Sequence, residues 1–495
     1  MPTTDQNLIG GFRLGYQNGA EQDATKLEWT GSPWPDWLRL RYLKDGAGLF
    51  SLGEDKNYKH WFDGLALLKQ FDIGDDITFR ARFLKSPDFQ KSTSSGKISY
   101  TEFATVPDRG ILKRLWCTVN PNAQFGINTA TNLQAIDGQI IAIGDLPKGM
   151  AIDPDTLATN EEWDIKKWTL LTSTPHPQRD EARKAWYNLG IGMTLRGFGY
   201  HVYCLSDGSH KPEPITFIPR SKPAYMHSVA MTERYMVVAE HPMYASLAKF
   251  FTLGIRNQPI INAFNWNGDK PLTFFIIDKA EKKLAARVEA PAHFYFHSTN
   301  AYEDGDDVVI DLCTYPDDKV IKKLYLDYIN SADGGETSPT KLIRHRINLK
   351  TKKLSLEQLT DASVEFPKSN PHVMHKEYRY TYAVGINPAV PNDHTNQLVK
   401  VDVASGDVKS WFEPGCYPNE PFMVPRPGAT AEDDGIILCV VLDAKIRSSV
   451  LLMLDAQSFT EIGRALIPMV IPFGLHGQVA PLNGDKKQES GVPLH

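Results

Sequence analysis

The sequence predicts an all-β protein, and three observations carry that expectation. Strand-length apolar runs recur along the whole chain, each is bounded by Asp, Gly or Pro, and segments with a helical period are few. The first clear pair is Ala66-Leu-Leu-Lys-Gln-Phe-Asp-Ile73 followed by Ile77-Thr-Phe-Arg-Ala-Arg-Phe83. The second member alternates with period two, and Gly74-Asp-Asp supplies the turn between them, so the pair predicts a β-hairpin. Further strands are expected at 236–239, 308–312, 380–384, 436–442 and 450–454. Helical spacing is expected only at 160–167 and 244–251, as insertions rather than as a second layer. Such a pattern fits a sandwich, a barrel or a propeller. With roughly 60 to 70 residues per blade, seven blades would consume the chain, although no WD-type repeat marks them.

A length of 495 residues suggests about three domains at ~150 residues each. No Gly/Ser or Pro-rich linker divides the chain, so one continuous unit over 1–495 is the simpler expectation. With 42% hydrophobic and 23% charged residues, a disordered or collagenous chain is excluded. Lys plus Arg (54) against Asp plus Glu (59) leaves a net charge of -5. That balance lacks the basic excess a nucleic-acid partner requires. Cys117, Cys204, Cys313, Cys416 and Cys439 are scattered and odd in number, which fits a reducing compartment. The N-terminus has neither a basic nor an apolar leader region, and no run of 18 apolar residues follows, so neither a signal peptide nor a spanning helix is expected.

Of the 14 histidines, four stand out by context: His176 between prolines, His227 in Tyr225-Met-His-Ser228, His297 after Phe294-Tyr-Phe, and His476 in Pro472-Phe-Gly-Leu-His-Gly477. Three of them lie beside apolar or aromatic strand ends, from which a neutral imidazole can point toward a central axis. Gaps of 51, 70 and 179 residues exclude a local metal motif such as H-E-x-x-H. Glu365 and Glu420 lie in largely apolar segments, where a buried carboxylate needs a partner. The Nδ1–H of a metal-bound imidazole is a suitable one.

Six segments, in order, carry a resemblance: Lys59-His-Trp-Phe-Asp-Gly-Leu-Ala-Leu-Leu68, Tyr225-Met-His-Ser228, Phe296-His-Ser-Thr-Asn-Ala-Tyr-Glu-Asp304, Val364-Glu-Phe-Pro367, Glu413-Pro-Gly-Cys-Tyr-Pro-Asn-Glu-Pro-Phe422 and Phe473-Gly-Leu-His-Gly477. Together they resemble the carotenoid cleavage oxygenase family over about residues 29–477, nearest in wording to the branch of animal β-carotene oxygenases and the visual-cycle retinoid isomerase. The resemblance implies a seven-bladed β-propeller with a helical and loop dome over one face. It implies an Fe(2+) ion on the propeller axis held by His176, His227, His297 and His476, with Glu365 and Glu420 each orienting one of these histidines. A third orienting acid falls on Asp145, eight residues before Asp153-Pro-Asp-Thr-Leu157, where the family usually has Glu. Gly144 stands where carotenoid-cleaving members commonly have Thr and stilbene-cleaving members tend to have Lys. A wider pocket and an apolar polyene, rather than a hydroxystilbene, are therefore expected. His60 belongs to a segment with a structural turn role and stays outside the metal set.

The implied activity is O2-dependent cleavage of one double bond of a carotenoid or apocarotenoid into two aldehydes. The first expectation is 15,15' cleavage of β-carotene to retinal; the alternatives are eccentric 9,10 cleavage, stilbene cleavage, a retinoid isomerase-hydrolase and a non-catalytic propeller scaffold. A cytoplasmic enzyme meeting its substrate by peripheral membrane contact is expected. The stretches Ala245-Ser-Leu-Ala-Lys-Phe-Phe-Thr-Leu-Gly-Ile255 and Ile111-Leu-Lys-Arg-Leu-Trp-Cys-Thr-Val119 are the candidates to lie in the interface, or else to pack inward as part of the dome.

Overall fold

In the computed structural model, which describes residues 10–165, 170–209 and 211–482, strand hydrogen bonding dominates. The expected hairpin is present: Leu65–Ile73 pairs antiparallel with Ile77–Phe83, in a register that sets Ile73 opposite Ile77. The runs expected at 236–239, 308–312, 380–384, 436–442 and 450–454 all fall within strands. Among the described residues the strands make seven sheets of four or more members, plus a two-stranded ribbon of Met243–Ala245 with Phe264–Trp266. Sheets built from consecutive strands are antiparallel meanders, as in Asn132–Ile136, Gln139–Ile143, Lys148–Ile152 and Thr159–Asp164. The result is a seven-bladed β-propeller.

Two pairings close the ring. Gly477–Ala480 adds to the sheet of Leu40–Lys44, and Glu28–Gly31 adds to the sheet of Glu461–Ile467. Chain ends are thereby stitched into one circle, which leaves no open edge between the first and last blades. Central strands such as Gly435–Asp443 are buried along their whole length because blades cover both faces. Between the first and last blades, Tyr42, Phe71, Phe79, Leu438, Leu451 and Met453 form one apolar cluster.

One helical expectation is corrected. Residues 160–164 belong to the strand Thr159–Asp164, at the outer edge of its blade, and 166–169 lie outside the described residues. Trp163 packs into the apolar layer with Trp186 and Tyr203 while Glu161 and Glu162 face solvent, so tertiary pairing overrides the helix preference of Glu-Glu-Trp-Asp-Ile-Lys-Lys. The other expectation is displaced: Met243–Ala245 is strand, and the helix is Leu247–Arg256, whose first turn is capped by the Ser246 hydroxyl accepting from the Lys249 N–H. This helix packs on Ile111–Val119. At Gly254 a Cβ would stand 2.7 Å from the Thr118 backbone nitrogen, so glycine is what lets the two helices approach.

Candidate metal centre

Each of the four histidines sits where the innermost strand of a blade is interrupted. His176 lies between Leu170–Ser173 and Gln178–Asp180, both of which pair with Ala185–Thr194. His297 occupies a register shift between Tyr295 and Ser298, His476 immediately precedes Gly477–Ala480, and His227 lies three residues before Ala230–Met231. A break or bulge turns a side chain out of the regular alternation, and here it turns imidazoles toward the axis. Glu365 follows the same logic: it begins Glu365–Ser369 at a register shift, and Phe366 beside it has a left-handed φ of 52°.

The geometry brings the four histidines together. One nitrogen from each lies within 4.8 Å of the others; His176 Nε2 is 3.2 Å from His227 Nε2, and His297 Nε2 is 3.2 Å from His476 Nε2. The opposite ring nitrogens of two of them are committed. His297 Nδ1–H donates to Glu365 Oε1 at 2.6 Å, and His476 Nδ1–H donates to Glu420 Oε1 at 2.7 Å. That tautomer leaves Nε2 lone pairs facing inward. Burial and the neighbouring imidazoles hold His176 well below the usual imidazole range, burial does the same to His297, and burial brings His476 down to about 3. Converging neutral lone pairs at 3.2 Å repel one another unless a cation lies between them, and two ligands ~2.1 Å from one ion at right angles stand about 3 Å apart. The donor set therefore fits a divalent metal ion.

The acids differ from one another. Burial raises the Glu365 carboxyl to about 8, and its Oε2 has no hydrogen-bond partner. Burial also pushes Glu420 up, but Lys368, Lys44 and His476 outweigh it and hold this carboxyl well below its ordinary value. Lys44 Nζ donates to Glu420 Oε2 at 2.8 Å and to the Leu475 carbonyl at 3.0 Å, and Lys368 Nζ stands 3.2 Å from Glu420 Oε1. Asp145 is directed at His227 but falls short, with Oδ1 3.8 Å from Nδ1 and no hydrogen-bond partner of its own. Tyr225 Oη stands 3.4 Å from the same Nδ1. Lys44, Lys368 and Tyr225 were not singled out from the sequence. Of these Tyr225 alone carries a local signal, two residues before His227 in Tyr225-Met-His-Ser228. His60 takes the expected turn role: its Nδ1 accepts from the Phe62 N–H and its Nε2 donates to the Ile321 carbonyl.

An added methylene lengthens a carboxylate's reach by about 1.5 Å, enough to close the Asp145–His227 gap. Asp145→Glu is expected to slow chelator-driven metal loss by about tenfold, the lower end of the effect of partners that orient a ligand. Faster loss would show that Asp145 does not orient His227.

The centre lies at the wall of a large cavity lined by Trp61, Phe103, Tyr225, Phe264, Phe296 and Phe366, with His227, His297 and His476 exposed to it. Phe125 and Ile260, close in sequence to the two packed helices, also line it. Gly144, expected to widen this cavity, borders a separate small one beside Ile143 and Trp163. Thr131 and Asp145 line the main cavity there.

A family model described as Retinal pigment epithelial membrane protein matches residues 16–481. The sequence is 32% identical to a carotenoid isomerooxygenase of Galleria mellonella, over 90% of this chain and 92% of that protein. It is 30% identical to the human mitochondrial carotenoid-cleaving dioxygenase (90% and 87% covered) and 27% identical to the human beta,beta-carotene 15,15'-dioxygenase (92% of each). Among solved structures, a Synechocystis apocarotenoid oxygenase with a glutamate-to-aspartate substitution superposes with a TM-score of 0.84 at 24% identity, covering 97% of this chain and 99% of that one.

Proposed function

The chain belongs to the carotenoid cleavage oxygenase family and is a carotenoid cleavage dioxygenase, and we propose that it holds a ferrous ion on His176, His227, His297 and His476 and cleaves the 15,15' double bond of β-carotene to give retinal. The observation that carries this reading is the convergence of four neutral imidazoles on the wall of an aromatic cavity. A ferrous ion there supplies the redox chemistry that lets dioxygen react with a closed-shell polyene. The protein's own groups do the rest. Glu365 and Glu420 fix the tautomer and tilt of His297 and His476, so the donor atoms are in place before the ion arrives. Phe296, edge-on to His227, and Phe366, tilted against His297, exclude water from the side where the polyene lies. Four neutral ligands leave the ion its full charge, unlike a site that includes a carboxylate.

The substrate is delivered from a lipid surface. No helix among the described residues is long and apolar enough to cross a membrane. The helix Ile111–Val119 nevertheless turns apolar residues outward: Leu112 is 80% exposed and Val119 75%, with Ile111, Leu115 and Trp116 beside them and Phe251 on the packed neighbour. Lys113 and Arg114 on the same helix suit a phospholipid headgroup layer. Phe125 and Ile260, a few residues beyond the two packed helices in sequence, line the aromatic cavity.

Oxygen uptake with β-carotene, an apocarotenal and resveratrol, each supplied in vesicles and in detergent micelles, tests both parts. Retinal as the single product from β-carotene is expected, and resveratrol serves as the control for stilbene cleavage at the same centre. Two unequal aldehydes would move the cleavage to the 9,10 bond. Trp116→Glu is expected to lower the rate on vesicles and leave the rate in micelles unchanged; equal rates on vesicles would remove the membrane from the proposal.

A further inference from the structure

The four imidazoles have a second side. A cavity of roughly 130 Å³ touches His176, His297 and His476 from the face away from the aromatic cavity, and its character is different. Its wall carries Asn132, Gln134, Ser298 and Ser369. Gln134 Oε1 and Ser369 Oγ are buried and have no hydrogen-bond partner in the protein. Unpaired buried acceptors are costly, and a space of this size holds several waters that satisfy them. The metal centre thus stands between a mainly apolar chamber and one with a large polar share, whose wall also includes Trp186, Met374 and Phe422.

The polar chamber has a built mouth. Gln178 and His375, distant in sequence, meet across it with His375 Nε2 3.3 Å from Gln178 Oε1, and both are half-buried. His375 is held in a left-handed backbone conformation, φ 68°, which a non-glycine residue adopts at a cost. The buried Asn300 keeps it there: its Oδ1 accepts from the His375 N–H at 2.9 Å, and its Nδ2 donates to the carbonyls of Val373 and Lys376, both at 3.0 Å. The two cations in the wall are already engaged. Lys368 lies against Glu420, and Arg179 is bridged to Asp207 and Glu181.

We infer that this polar chamber is the path by which a hydrated divalent cation reaches the four-histidine centre, with His375 and Gln178 as the first groups it meets. The inference rests on the four histidines being a metal centre. Along the aromatic cavity an aqua ion would give up water largely to rings, with scattered polar groups such as Asn128, Thr131 and Asp145 to replace it, and an ion buried without partners costs up to tens of kcal/mol in the limiting case. In the polar chamber each lost water is exchanged in turn for an imidazole, an amide oxygen or a hydroxyl. The polyene and the ion then approach the same histidines from opposite sides, and loading does not require an empty substrate cavity.

The test uses full-length protein stripped with a chelator, with cobalt(II) chloride as the probe and uptake followed by absorbance and total metal analysis. Gln178→Trp, which fills the mouth, and His375→Phe, which keeps the bulk and removes the donor, are each expected to slow uptake and chelator-driven loss about tenfold, equivalent to ~1.4 kcal/mol of added barrier. The final stoichiometry should match the unsubstituted protein, which a merely misfolded variant would not do. An apocarotenal occupying the aromatic cavity should leave the uptake rate within about twofold. Unchanged rates in both variants, or uptake blocked by the apocarotenal, would overturn the path while leaving the metal centre standing. No cobalt bound by the unsubstituted protein would overturn the centre and the path together.

Discussion

Replacing His297 by alanine is expected to abolish oxygen uptake and to reduce bound iron to below about a tenth of an equivalent, while the propeller stays folded. His297 is the most connected of the four: Nδ1 is tied to Glu365, Nε2 faces His476, the ring leans on Phe366 at 5.1 Å, and both cavities reach it. Its removal takes away one of four donors and leaves the buried Glu365 carboxyl without the imidazole that stands 2.6 Å from its Oε1. A stranded buried polar group costs about 1–3 kcal/mol. That is small against the apolar clusters between blades, none of which includes His297. Circular dichroism should therefore be unchanged where metal analysis and oxygen uptake are not. Full iron content with full activity would remove His297 from the centre.

The four converging histidines were readable from the sequence because each lies in a local stretch of strand-end or turn residues. The blade count was not readable from periodicity. An apolar run of strand length states that a strand is buried, not which strand it pairs with, and the ring closes through pairings as distant as Leu43 with Gln478. The same limit explains the 160–167 helix: edge strands with acidic outer faces have no internal signal that outweighs helix propensity. Lys44 was hidden for a related reason. In Leu40-Arg-Tyr-Leu-Lys44 it reads as one polar residue in a strand, and only the arrival of Glu420 from the far end of the chain makes it part of the centre. The offset picks out an acid that stands 3.8 Å from His227 Nδ1, but a gap of one methylene is a matter of distance, which no spacing reports.

Lys44→Met is expected to destabilise the fold by about 3–5 kcal/mol, because it removes one partner of a buried ion pair and keeps the volume of the side chain. Lys44 and Glu420 have side-chain exposures of 2% and 1%, so neither recovers water when the other is lost. Lys44 also stands at the seam of the ring. Its strand pairs with Gly477–Ala480 on one side and Leu65–Ile73 on the other, and its Nζ binds the Leu475 carbonyl one residue before His476. A single ammonium therefore ties the closing strand, the His476 loop and the acid that orients that histidine. Lys368 and His476 remain on Glu420 Oε1 in the variant, so Oε2 is the atom left uncompensated. Replacing that acid as well, in Lys44→Met with Glu420→Gln, removes the stranded charge, and the double variant is expected to be more stable than the sum of the two single effects predicts. Urea unfolding followed by tryptophan fluorescence measures all four proteins of the cycle. A coupling energy below about 0.5 kcal/mol would mean that the two groups act independently, and that the seam is held by apolar packing alone.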